Sequence, residues 1–147
     1  MPKGAVIFAT RTNQTQKIAQ LIGEGMRFEG LDVDVLNVSQ ITGEGSLNDY
    51  DAVVLGSATY HGEMLQAMKT FLFVAEKANL EGKAGGAFGA FGWSGEAPGR
   101  IFDTMTHVLK MNMVDGPLRL KSAALGGGSK MAQDYGREIA KRALAAK

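Results

Sequence analysis

The sequence predicts a three-layer α/β/α domain built on a five-stranded parallel sheet, and three observations carry that prediction. Short continuous apolar runs such as Gly4 to Ala9 and Asp51 to Ser57 suit strands covered on both faces. Most of these runs are followed by a segment whose apolar residues recur at helical spacing. The connections are short and polar, so the chain reads as repeated βα units with right-handed crossovers and helices on both faces of the sheet. At 147 residues and 45% hydrophobic composition, residues 1–147 suit one domain with enough apolar material for two core layers.

In order, Gly4 to Ala9 is the first strand, and a polar loop follows it. Ile18, Leu21, Ile22, Met26 and Phe28 then mark a helix that Gly30 stops. Leu31 to Val38 alternates with period two, as an edge strand with one wet face does. Ser39 to Tyr50, rich in Gly, Ser, Thr and Asn, carries at most a short helix before the third strand, Asp51 to Ser57. A second loop spans Ala58 to Glu63, and Met64, Leu65, Met68, Phe71, Leu72 and Ala75 mark an amphipathic helix. Gly85 to Phe91 is a glycine-rich strand entering a third loop, Gly92 to Glu96. Pro98 lies near a helix start, and Ile101, Phe102, Met105, Val108 and Leu109 form its apolar face. Leu118 to Leu125 is the last strand and Ser129 to Ala146 the last helix, giving βα repeated five times.

Composition removes several function classes. The net charge of +1 gives no reason to expect nucleic acid or a membrane surface as partner. Acidic residues outnumber basic ones up to Glu96 and basic ones dominate afterwards, which points weakly to an acidic patch on a partner. Without cysteine there is no disulfide, thiolate catalysis, iron–sulfur ligation or Cys-based zinc site, so redox chemistry needs a borrowed cofactor. His61 and His107 are the only histidines, too few for a two-His metal site with the usual third ligand, and no metal is expected. No apolar stretch suits a signal peptide or a membrane span, and the expected location is the cytoplasm. Met64, Met68 and Met105 sit at core spacing, while Met111 and Met113 are left undecided.

Three loops at strand carboxyl ends carry the chemistry. The first, Thr10, Arg11, Thr12, Asn13, Gln14 and Thr15, lies between a buried strand and a helix start. Free backbone N–H groups, the positive end of the helix dipole and the hydroxyls favour a phosphate there. Thr12 or Asn13 as an ordinary helix cap is the competing reading. The loop has neither the G-x-x-x-x-G-K-[ST] nor the G-x-G-x-x-G pattern, which argues against triphosphates and dinucleotides. The second loop, Ser57, Ala58, Thr59, Tyr60, His61 and Gly62, offers hydroxyls, an aromatic ring and an imidazole. The third, Ala90, Phe91, Gly92, Trp93, Ser94 and Gly95, sets aromatics among glycines. Together the last two loops can hold a flat conjugated ring, with Trp93 or Tyr60 on its face; Trp93 packing on the following helix is the alternative. A phosphate-responsive receiver domain of the same topology needs acidic residues at the strand ends, and Ala9-Thr10 and Gly56-Ser57 supply none.

Thr10-x-Thr12-x-x-Thr15, Gly56-Ser57-Ala58-Thr59 and the stretch Ala87 to Ala97 resemble flavodoxins, and the match spans the chain. The third loop is similar to the flavodoxin module of the A-type flavoproteins, the flavodiiron proteins, without their diiron domain. Asn13 and Gln14 stand where the family usually has Gly and Asn. The resemblance implies a flavodoxin-like sandwich of strand order 2-1-3-4-5. It implies FMN with its phosphate on the Thr10 to Thr15 loop and its ring between the Ala58 to Gly62 and Phe91 to Gly95 loops. It further implies a one-electron carrier with no catalytic side chain, monomeric or weakly dimeric. Its partners would be redox proteins, a reductase or iron–sulfur donor and an unidentified acceptor. An FMN-dependent NAD(P)H:quinone reductase of the same fold class is the alternative.

Overall fold

The computed structural model describes residues 2–9, 13–41, 47–60, 63–90, 96–120 and 127–145. Its elements run β1 (Lys3–Ala9), α1 (Asn13–Phe28), β2 (Asp32–Asn37), a 3-10 turn (Val38–Gln40), β3 (Ala52–Ser57), β4 (Thr59–Tyr60), β5 (Glu63–Met64), α2 (Gln66–Lys77), β6 (Ala84–Ala90), α3 (Glu96–His107), β7 (Asn112–Met113), β8 (Leu118–Leu120) and α4 (Gly128–Ala145).

The parallel sheet has the order β2-β1-β3-β6, and the place beyond β6 is shared by β7 and β8. β7 pairs with Ala84 and Gly85 and β8 with Phe88 to Ala90, so the fifth strand position is split in two. This is the expected 2-1-3-4-5 arrangement with a broken last strand. β1 lies between β2 and β3, with Gly4 opposite both Val33 and Ala52.

Side chains leave the sheet alternately, although the strands read as unbroken apolar runs. Val6 and Phe8 of β1 and Val54 of β3 join Ile18, Ile22 and Met26 of α1 and Ile139 and Ala143 of α4 in one core layer. Ala5, Ile7, Val53 and Leu55 meet Met68, Phe71, Ile101 and Met105 of α2 and α3 in the other. Burial of each large side chain stabilises by about 1.5–3 kcal/mol, so both helical layers are held by the same central strands. Gly30, at φ +103, closes α1 in the left-handed conformation, its N–H donating to the Arg27 carbonyl at 3.0 Å.

Three sequence expectations change, at the fifth strand, at Val108 and at Phe28. Among the described residues the connection from β2 to β3 holds the 3-10 turn Val38–Gln40, within the expectation of at most a short helix there. The fifth strand position is entered earlier than expected, by the two-residue β7; the described part of the expected Leu118 to Leu125 strand is β8, Leu118–Leu120, and residues 121–126 lie outside the described set. Val108 falls beyond the end of α3 and is 49% exposed, and Phe28, in the last turn of α1, is 57% exposed. Met111 is buried and Met113 packs against the same layer.

Candidate functional site

The fold brings the three predicted loops to one edge. Ala9, the last residue of β1, stands opposite Ser57, the last of β3, and Gly56 stands opposite Phe88, two residues before the end of β6. The connections that follow β1, β3 and β6 therefore leave adjacent strands at nearly the same level. The chain turns to β2 on one side after β1 and to β6 on the other after β3, so strand order reverses between β1 and β3. Such a switch point is the usual ligand position in doubly wound sheets.

Of the predicted site residues, Thr10, Arg11, Thr12, His61, Gly62, Phe91, Gly92, Trp93, Ser94 and Gly95 lie outside the described residues. Asn13, Thr59, Tyr60 and Ala90 are described in their backbone alone. Asn13, Gln14 and Thr15 belong to the first turn of α1, so helix begins earlier than a loop through Thr15 would allow.

Thr15 is fully buried, and its Oγ has no hydrogen-bond partner among the described residues. An unpaired buried hydroxyl costs about 1–3 kcal/mol. It stands in the first turn of α1, where backbone N–H groups have no carbonyl one turn back and the helix dipole is positive. A hydroxyl without a partner beside such amides suits an oxyanion, the chemistry a phosphomonoester supplies.

Ser57 is also fully buried, but its hydroxyl is used within the protein. Oγ accepts from the Leu65 N–H at 3.0 Å and donates to the Ala58 carbonyl at 2.9 Å. Between these ends the chain forms an antiparallel hairpin, Thr59 opposite Met64 and Tyr60 opposite Glu63. The segment read as a loop thus has a built frame.

The third loop rests on β6, whose glycines make room for neighbours. A Cβ on Gly89 would run into the Ser57 carbonyl and lie 2.8 Å from Pro98 Cγ, so a bare backbone lets β3, β6 and α3 converge at this edge. A Cβ on Gly86 would lie 2.9 Å from the Tyr135 ring. That ring brings a hydroxyl into the break between β7 and β8: Oη accepts from the Ala87 N–H at 3.0 Å and donates to the Gly116 carbonyl at 2.8 Å. Burial pushes the Tyr135 phenol well above its ordinary pKa. Sequence reasoning missed Tyr135, although a tyrosine beside the buried positions Ala132, Gly136 and Ile139 of α4 signals a ring needing a polar partner.

Glu96 opens α3, where a carboxylate complements the helix dipole. His107 is exposed in the last turn of the same helix. Among the described residues no group of three or more His, Cys, Asp or Glu is placed to hold a metal ion. No helix among them is long and apolar enough to cross a membrane.

Comparison with known proteins agrees with this geometry. Residues 5–122 match the model of the flavodoxin domain family. The chain is 29% identical over 150 residues to rubredoxin-oxygen oxidoreductase of Megalodesulfovibrio gigas, covering 99% of this chain but 36% of that protein. It thus spans about a third of the length of that relative. It is 29% identical to a flavodoxin of Clostridium beijerinckii, covering 77% of this chain and 82% of the flavodoxin. Among solved structures, a flavodoxin from the domain Archaea superposes with a TM-score of 0.88 at 29% identity, covering 96% of this chain and 99% of the other.

Proposed function

The chain belongs to the flavodoxin family, and on that premise we propose that it binds FMN at the carboxyl edge of β1, β3 and β6 and shuttles electrons as a carrier. FMN binding and electron transfer are the work of this family, and the flavin supplies the redox chemistry when bound. The observation that carries the assignment of the site is the Thr15 hydroxyl, buried without a partner among the described residues in the first turn of α1.

In this reading Thr15 and the amides of the α1 first turn take the phosphate, together with Thr10 and Thr12. The hairpin of β4 and β5 and residues 91–95 border the ring. Protein groups bind and orient, and none is required as acid, base or nucleophile. Gly89 keeps the carboxyl edge of β6 close against β3 and α3, which fixes how far apart the two ring loops begin. Redox proteins, reached in the cytoplasm, are the proposed partners.

Reconstitution tests the proposal. Apoprotein mixed with FMN should acquire a bound flavin spectrum at one equivalent and reduce in an anaerobic titration. A chain that takes up no FMN overturns it. Steady-state NAD(P)H-dependent quinone reduction by the loaded protein would replace the carrier with an enzyme.

A further inference from the structure

We infer that Ser57 is a positioning residue for the ring-side loop rather than a contact to the cofactor: its hydroxyl locks the base of the β4–β5 hairpin and so sets where that hairpin meets the flavin ring. The inference rests on the proposed FMN site and adds a division of labour within it.

Four observations lead there. Ser57 ends β3 and is completely buried, so its hydroxyl faces no solvent. That hydroxyl is fully engaged, accepting from Leu65 N–H at 3.0 Å and donating to the Ala58 carbonyl at 2.9 Å. One group thereby joins the residue where the chain leaves the sheet to the residue where it enters α2, across the hairpin Thr59–Tyr60 and Glu63–Met64. Leu65 is the N-cap of α2 and has no side-chain cap of its own, so Ser57 pairs a half-buried amide at the helix entrance.

A two-stranded hairpin of this size holds its shape poorly by itself. Here two backbone pairs, the packing of buried Met64 against the core layer of α3 and the Ser57 bridge hold it, and among the described residues only the bridge ties its base to the end of β3. Thr15, one strand away, differs in kind: its hydroxyl has no partner among the described residues, where the Ser57 hydroxyl has two. The two hydroxyls therefore serve opposite parts of one ligand, Thr15 the phosphate by contact and Ser57 the ring by holding the loop.

Comparing FMN with riboflavin, which lacks the phosphate, separates these roles. Ser57→Ala should weaken both ligands by a common factor, about fivefold to tenfold for a lost buried hydrogen bond, leaving their affinity ratio unchanged. The visible circular dichroism of bound flavin should change as the ring environment loosens. In the apoprotein, hydrogen exchange at Leu65 and along residues 59–60 and 63–64 should quicken about tenfold, with Val6, Ile7 and Val54 unaffected. Weakening of FMN alone, or unchanged exchange at Leu65 and the hairpin, would overturn the inference.

Leu65→Pro gives the same test from the donor side if Ser57→Ala fails to fold. Leu65 has φ −63, which proline adopts without strain, so the substitution removes the N–H while keeping the backbone path. It should weaken both flavins equally and speed exchange at 59–60 and 63–64; unchanged values overturn the inference. Wild-type protein that binds no flavin sinks the proposed function, while the exchange measurement still decides whether Ser57 locks the hairpin.

Discussion

The amino end of the sheet and the Thr15 hydroxyl at its carboxyl end treat polar groups in opposite ways. At the amino end they close on the protein itself. The Lys3 N–H donates to the Asp51 carboxylate at 3.0 Å and the Asp51 N–H returns to the Lys3 carbonyl at 2.7 Å. Tyr50 donates its hydroxyl to Asp34 at 2.8 Å with the Lys3 ammonium 5.7 Å from its ring centre, and Lys83 Nζ donates to the Asn48 carbonyl at 2.8 Å. At the carboxyl end Thr15 is buried with its hydroxyl unpaired among the described residues. The amino end pairs its polar groups within the protein, and in the proposed site the Thr15 hydroxyl is the one left for a ligand. Substitutions at the two ends should therefore move different quantities.

The largest effect is expected at Thr15. Thr15→Val removes the hydroxyl and keeps the branched shape, and a lost hydrogen bond to a charged phosphate, about 1.5–3 kcal/mol, should raise the FMN dissociation constant roughly tenfold to a hundredfold. Riboflavin binding should stay as it was. The same substitution should raise apoprotein stability by about 1 kcal/mol in urea unfolding, since the unpaired buried hydroxyl goes. An affinity loss equal for both flavins would erase the contrast between the ends.

Tyr50→Phe should do the reverse. It deletes the bond to Asp34 and should cost roughly 1 kcal/mol of stability, read from the urea midpoint, with FMN affinity unchanged. A changed affinity would mean that the amino end reaches the site.

The smallest effect appears with alkali. Burial first, and then the hydrogen bond to Asp34, push the Tyr50 phenol from 10.0 up to about 12. The unfolded chain releases that proton near 10.0 while the folded protein keeps it, so stability present below pH 10 is lost as pH rises from there toward about 12. Tyr135 adds a contribution of the same sign. The fall in melting temperature between pH 10 and about 11.5 should be shallower in Tyr50→Phe than in wild type.

Features with a repeat were legible in the sequence. Ile18, Ile22 and Met26 announced α1 because helical spacing puts them on one face, and β1 and β3 announced themselves because both their faces are covered. Features that depend on a distant partner were not. β7 is two residues long, too short for any period, and the break beside it is filled by a tyrosine hydroxyl bound to a backbone 48 residues away. Val108 kept the helical spacing but lies past the end of α3, where periodicity no longer dictates burial. In the candidate site, residue type drew attention to both Thr15 and Ser57. Their difference was hidden, since it turns on whether a main-chain N–H eight residues away meets the hydroxyl.

The split fifth strand also bears on how the protein keeps to itself. Open sheet edges invite strand addition from other chains, and self-association through them leads toward aggregation. β2, at one edge, carries exposed Asp32 and Asp34, whose charges discourage a second strand. At the opposite edge, among the described residues, the ladder is interrupted between β7 and β8 by Val114 to Pro117, and Pro117 has no N–H to give. Arg142 lies across this edge, donating to Asn112 at 3.3 Å and to Asp115 at 3.4 Å. At this break a meeting molecule therefore finds side chains rather than an open ladder, and insertions between Asp115 and Gly116 should leave solubility intact.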